Sequence, residues 1–214
     1  MGHAEKSAET RRRLLDAAIE IFAEKGFRGA TIEQISRRAG TNIAAAHYHF
    51  GSKEGLYAAV FDHAERQRPP VPSPEPSDVP PAERLHAHIT GFLSRLLDPA
   101  RPAWMARLLA QEMIEPTPAL DRLVRRRMRA NHEQFAVIIR DLLGPRAADD
   151  DVRLCTLSVV AQCVFYRNSA AVISRLYPDL APARDVDRIA EHVTRFSLEA
   201  IRGFAAEKGI VAHE

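Results

Sequence analysis

Cysteine is scarce in this chain, long apolar runs are missing, and the charges nearly cancel. Each shortage removes a class of protein. The two cysteines, Cys155 and Cys163, stand eight residues apart on what reads as one helix. That is about 12 Å along the axis, too far for a disulfide within the chain. Two thiols suit a reducing compartment and behave as small apolar groups, with a bridge across a dimer axis as the alternative. The opening residues hold no apolar core of signal-peptide length, and no later stretch offers the roughly 18 uninterrupted apolar residues of a membrane span. The expectation is a cytoplasmic protein with no membrane partner. No phosphate-cradling glycine loop or nucleophile motif occurs. His47 with His49 and His86 with His88 are spaced two apart, on different helix faces, and no Cys/His set has zinc spacing. Catalytic residues, metal ligands and cofactors are therefore expected to be absent, and the chain is not read as an enzyme.

What remains is a folded, helical composition: 214 residues, 46% of them hydrophobic, enough for a sizeable core or for a small domain and a larger one. No segment sustains strand alternation, so the fold class is all-α. Charge is distributed unevenly. Residues 1–68 carry 11 Lys+Arg against 9 Asp+Glu, a net +2, which leaves 19 against 19 for residues 69–214. The excess belongs to the N-terminal part, where Arg11, Arg12, Arg13, Arg28, Arg37, Arg38 and Lys53 can form a phosphate-facing rim.

Within that part, Thr31 to Tyr57 reads as short helices hinged at a glycine. Thr31 caps the first, and Gln34 three residues on completes a capping box. Ile32, Ile35 and Ala39 face inward at helical spacing, with Glu33, Ser36, Arg37 and Arg38 outward. Gly40 supplies the tight turn. Thr41 or Asn42 caps a second helix, Ile43 to Phe50, whose small residues at 44, 45 and 46 let a backbone approach something closely. In a DNA reader that something is the major groove, with flanking groups on phosphates. Ser52 starts a further helix carrying the stripe Leu56, Tyr57, Val60, Phe61 and Ala64. Ahead of all these, a first helix over about Thr10–Lys25, closed by Gly26, packs Leu14, Leu15, Ala18, Ile19 and Phe22 against the pair.

Those residues, together with Glu24-Lys-Gly26-Phe27, Ala30-Thr31-Ile32, Ala39-Gly40 and Tyr48-His-Phe-Gly-Ser-Lys53-Glu-Gly-Leu-Tyr57, resemble the DNA-binding domain of TetR-family transcriptional regulators from Arg11 to about Arg68. The resemblance implies a dimeric, ligand-released repressor. The chain has Ile43, Ala44 and His47 where the family often has lysine, glycine and tyrosine. The DNA-facing candidates are Thr31, Thr41, Asn42, Ala44, Ala45, His47, Tyr48 and Lys53. Asn42 is read as a cap first and an adenine reader second, and Thr31 and Lys53 as phosphate contacts at helix N-termini. A reading helix without Arg or Lys cannot make the bidentate guanine contact, so specificity is expected from two half-sites and DNA shape.

Residues 69–81 hold seven of the fourteen prolines and are read as a non-helical, semi-rigid linker, with a proline-rich ligand for another domain as the alternative. The domains expected are thus 1–68, the helix-turn-helix; 69–81, the linker; and 82–214, a helical effector-binding and dimerisation domain. Helices are expected near 82–98, 102–114, 118–143, 150–176 and 183–207, with Thr117-Pro118 a start signal and Gly144-Pro145 a stop. The run Val152–Phe165 is apolar nearly all round and should be buried on two sides. The last helix shows one stripe, Ile189, Val193, Phe196, Ala200, Ile201 and Phe204. Together these two suit a homodimer interface built as a four-helix bundle.

Gln111 to Asp121 and Cys155 to Tyr166 resemble the CecR-like subgroup of TetR regulators, which implies a role in sensitivity to antibiotics and other toxic compounds. The family resemblance also implies a small-molecule pocket. Trp104, Met105, Leu108, Gln111, Met113, Met128, Phe135, Phe165, Tyr166 and Asn168 can line it, or simply be core. Gln111, Glu112, His132 and Asn168 are polar groups amid apolar runs and need partners. The run Arg125–Arg129 is read as a solvated helix face ahead of a second nucleic-acid patch. The function expected is a homodimeric repressor that binds a pseudo-palindromic operator in double-stranded DNA and is released by a small apolar or drug-like effector. The alternatives are a ligand-independent architectural DNA binder and a helical enzyme whose head has lost its role.

Overall fold

Every regular element in the computed structural model, which describes residues 2–66 and 78–207, is helical. The chain forms α1 (His3–Gly29), α2 (Ile32–Arg38), α3 (Ile43–Phe50), α4 (Lys53–Arg66), α5 (Pro81–Leu97), α6 (Ala103–Ile114) and α7 (Pro118–Leu123). After a π turn (Val124–Met128) come α8 (Arg129–Leu143), α9 (Asp149–Asn168), α10 (Ala170–Leu176) and α11 (Val186–Glu207). The contacts define two compact units: one comprises the N-terminal helices with Arg101–Arg127, the other α5 and Met128 onward. Helices α6 and α7, although C-terminal to the proline-rich stretch, thus count with the first unit.

In the first unit, local chemistry marks each boundary. The Thr31 hydroxyl accepts the Gln34 amide at 3.2 Å, Asn42 Oδ1 accepts the Ala45 amide at 2.8 Å, and Ser52 Oγ accepts the Gly55 amide at 3.1 Å. The capping box is only half made, because Gln34 Oε1 is buried without a partner instead of returning a bond. Gly40 turns the chain at φ 62°, and Gly51 ends α3 at φ 76°. Helix α1 starts at His3, earlier than Thr10, and Gly26 at φ 73° and ψ 175° breaks its path before Gly29. Leu14, Phe22, Ile35, Leu56 and Val60 are fully buried. Tyr57 holds the centre, its ring 4.7 Å from Phe22, 4.9 Å from Phe27 and 5.2 Å from Phe61. Ser36, expected outward, is buried.

Helices α6 and α7 complete this unit through polar pins. Tyr57 donates its hydroxyl to Glu112 Oε1 at 2.9 Å, and Thr117 donates its hydroxyl to the same oxygen at 2.9 Å and its amide to Oε2 at 3.0 Å. The Thr117-Pro118 start is as expected, with Thr117 Oγ1 accepting the Ala119 amide. Arg126 pairs with Asp62 at 2.7 Å and Arg127 with Glu65 at 3.1 Å, the latter pair largely buried. The basic run is therefore in part a clamp on α4 and not a freely solvated face.

The second unit is an aliphatic core of Leu85, Ile89, Leu93, Phe135, Ile139, Leu143, Val159, Cys163, Val193 and Ile201. Buried Arg84 ties α5 to α8 through Asp141 at 2.7 Å. Both cysteines are free thiols, and burial pushes Cys163 up to about 12. The helix expected over 118–143 is divided by the π turn, and that over 150–176 breaks at Ser169. Helix α9 is buried on one side within the chain: Val152, Val159 and Cys163 are inside, while Leu154, Leu157 and Phe165 are exposed. The stripe of α11 likewise splits, with Ile189, Val193 and Ile201 inside and Phe196 60% exposed. Residues 69–77 of the proline-rich segment lie outside the described residues. Its last two prolines are the N-cap and first residue of α5, so Pro81 is helical.

Candidate nucleic-acid interface

Helix α3 is eight residues long, too short to persist alone. Its cap and the inward Ala46 hold it to α2 and α4. The opposite face stays open: Asn42, Ile43, Ala44, His47 and Tyr48 are all exposed, Tyr48 at 81%. Ala45 and Thr41 are half-buried. The Asn42 side-chain oxygen is spent on the cap, leaving its NH2 group as the free end. His47 Nδ1 lies 2.8 Å from the Gly51 carbonyl; a carbonyl can only accept, so Nδ1 carries the proton. The Tyr48 ring meets His49 edge-on at 5.0 Å. His49 and Phe50 are half-buried.

Around this face the cations are partly committed. Arg12 pairs with Glu9, Arg38 with Glu20 at 2.6 Å, and Arg28 with Glu115 at 3.4 Å. Arg11 lies over the Phe50 ring at 5.0 Å. Lys53 donates Nζ to the Ala30 carbonyl at 3.1 Å and sits 4.4 Å from the Phe27 ring centre. Its charge is thus held just ahead of the Thr31 cap. Among the described residues, exposed Arg13 and Arg37 make no ion pair.

The ten pocket candidates divide between the two units. Met105 and Leu108 are buried in the first, Trp104 and Gln111 half-buried, and Met113 exposed. Of the ten, Gln111 lines a 250 Å³ cleft in that unit. In the second, Phe135 is fully buried against His88, ring centres 4.3 Å apart, and Tyr166 is half-buried; Phe165 is 57% exposed and Asn168 is also exposed. Met128 is half-buried at the end of the π turn. Sequence reasoning flagged Glu112 as a polar residue in an apolar run but missed its partner Tyr57, whose phenol burial pushes well above its ordinary range and so keeps it a donor.

A cap-started helix with a small-residue, open face, turned against α2 by a glycine and rimmed by arginines, is a helix-turn-helix, and the protein is a DNA-binding transcriptional regulator. Residues 14–60 match the model of the tetR family of bacterial regulatory proteins, and residues 81–201 match the C-terminal domain of the HTH-type transcriptional dual regulator CecR. The chain belongs to the TetR family, in its CecR-like branch. It is similar to the HTH-type transcriptional repressor NicS of Pseudomonas putida, 27% identical over 94% of each chain. It is also similar to CecR of Shigella flexneri, 26% identical over 76% of this chain and 77% of that one. The fold is that of MexZ of Pseudomonas aeruginosa, TM-score 0.62 with 24% identity over 90% and 94% of the two chains. NalD of the same organism scores 0.56, again with 24% identity, over 89% and 96%. The family is one of transcriptional regulators and not of enzymes. Among the described residues no helix is long and apolar enough to cross a membrane.

Proposed function

We propose that the protein is a cytoplasmic homodimeric repressor that binds a pseudo-palindromic operator and is released by a small apolar or drug-like effector. The observation that carries this is the open face of α3, where Asn42, Ala44, His47 and Tyr48 stand exposed on a helix capped at its start. Repression is supported by the likeness to NicS, a repressor by name. The division into a reading domain over 1–68, a linker over 69–81 and an effector and dimer domain over 82–214 belongs to the same reading.

Dimerisation through α9, the larger part of the helix expected over 150–176, and the last helix, α11, is supported by the apolar side chains they leave uncovered. Leu154, Leu157 and Phe165 follow helical spacing on α9, and Phe196 is exposed on α11. Two reading heads then address half-sites about one helical turn apart or a multiple of it. An effector that binds the 82–214 domain shifts the population toward a conformer that no longer fits them. Thr31, Thr41, Ala45 and Lys53 complete the proposed DNA surface, with Lys53 serving the fold and a phosphate at once.

Fluorescence anisotropy with DNA from upstream of the protein's own gene, against scrambled DNA of equal length at several salt concentrations, tests the reading. Sequence-dependent binding with two subunits per site is expected. Equal, strongly salt-dependent binding to both DNAs would make it an architectural binder. Lys53→Ala should weaken binding to every sequence and flatten the salt slope by about one charge.

A further inference from the structure

The 250 Å³ cleft of the first unit is bounded by the Gly26–Phe27 corner, by Tyr57 of α4, and by Gln111, Glu112 and Thr117 of α6 and the start of α7. Its inner polar atoms share one deficiency, a shortage of donors. Glu112 is 1% exposed. It receives the Tyr57 hydroxyl and the hydroxyl and amide of Thr117, all neutral. No basic side chain among the described residues reaches it. A buried carboxyl group with neutral donors alone has no cation beside it.

Gln111 stands beside it. Its Nε2 donates to the Ala23 carbonyl at 3.4 Å, which fixes the orientation of the amide, because the reverse would set two acceptors face to face. Oε1 is then left buried with no partner. At the same corner Gly26, at φ 73°, leaves the Gln111 amide 3.8 Å from where a Cβ would stand. Half-buried Phe27 supplies an apolar wall, with the buried Tyr57 ring packed behind it at 4.9 Å between centres. At the mouth, Arg28 is occupied by Glu115 at 3.4 Å, and Glu24 and Lys25 are both exposed. The lining thus carries Glu24, Glu112 and Glu115 against Lys25 and Arg28, a net charge of −1.

We infer that this cleft binds a small organic cation, an amidinium, guanidinium or protonated amine on a compact apolar body. The cation's N–H groups donate to Glu112 and to Gln111 Oε1, and its body lies against Phe27. An anion would meet the Glu112 charge, and a neutral amide would satisfy Gln111 alone. The volume falls just below the roughly 300–1,000 Å³ of pockets for drug-sized ligands, which limits the occupant to fragment size. Because the site touches α4, which follows the reading helix directly, occupancy alters DNA affinity. This last step rests on the proposed function; the binding itself does not.

Binding is therefore measured first without DNA, by 1H–15N correlation spectra of the full-length protein titrated with benzamidine, with neutral benzamide and anionic benzoate as controls. Benzamidine is expected to shift the Gly26, Phe27 and Thr117 amides saturably, benzamide about tenfold more weakly and benzoate not at all. Glu112→Gln should abolish the preference for the cation. Should that variant fail to fold by circular dichroism, Gln111→Leu, which keeps Glu112 and its three donors, must weaken benzamidine several-fold. Equal shifts with benzamide and benzamidine, shifts confined to amides away from the cleft, or no saturation with benzamidine would overturn the assignment. Operator affinity is then read with benzamidine present. A cleft that fills without changing it separates failure of the coupling from failure of the site.

Discussion

The two units bury their side chains by different means. The first sets helices of seven, eight and fourteen residues, α2, α3 and α4, against the 27-residue α1. Lengths near or below about 12 residues are marginal without outside help. That help comes from single-residue devices: the Thr31, Asn42 and Ser52 caps, glycines at positive φ at 26, 40 and 51, the ring cluster around Tyr57, and the pins to Glu112. The second uses helices of 17, 15, 20 and 22 residues for α5, α8, α9 and α11 around aliphatic side chains. Its order is distributed over area, whereas that of the reading unit is concentrated in a few atoms. The contrast suits a surface whose exposed α3 must be held in one geometry.

The comparison breaks first at Phe22. Phe22→Ala removes a fully buried ring and its contact with Tyr57, at a cost of about 3–5 kcal/mol. Urea unfolding followed by circular dichroism should show an early transition of the first unit with the second still folded. One cooperative transition near the wild-type midpoint would mean that the first unit is not so narrowly specified.

The second unit has its own concentrated point in His88, on α5. Burial, and secondarily the nearby Arg95 charge, lower it to about 4 from an ordinary 6.5. The folded value is depressed, so the unfolded chain takes up the proton first. Stability is whole above about pH 6.5 and falls through the window down to about 4, by at most about 3 kcal/mol. Urea midpoints taken from pH 7 to 4.5 should decline, and His88→Leu should flatten that decline. A decline unchanged in the variant would assign it to other groups.

Smallest is the cap. Asn42→Ala should cost about 1 kcal/mol of stability. If Asn42 serves only as cap, affinity falls alike for every DNA sequence. A loss confined to operators with one particular base would make its free NH2 group a reader.

Much of the first unit was legible because its boundaries are chemical and local. Thr31, Asn42, Ser52, Gly40 and Gly51 act within four residues of themselves. The stripe Leu56, Tyr57, Val60, Phe61 and Ala64 is entirely buried, as its spacing implies. The missed features are non-local or have no residue marker. Glu112 was visible as a polar residue in an apolar run, but its partner is 55 residues earlier in the chain. The π turn falls on Val-Arg-Arg-Arg-Met, where each residue is an ordinary helix former or close to one. The apolar residues of α11 were read as one stripe because hydrophobicity alone does not say which face meets this chain and which remains open.

The bond between His47 and the Gly51 carbonyl has a chemical sequel at the surface of α3. With the proton fixed on Nδ1, a neutral ring offers the proposed DNA surface only a lone pair at Nε2, and a lone pair matches the amino groups of adenine or cytosine. One backbone carbonyl, four residues on, thus sets which partner the proposed reading face can meet at this position, a hydrogen-bond donor and not another acceptor.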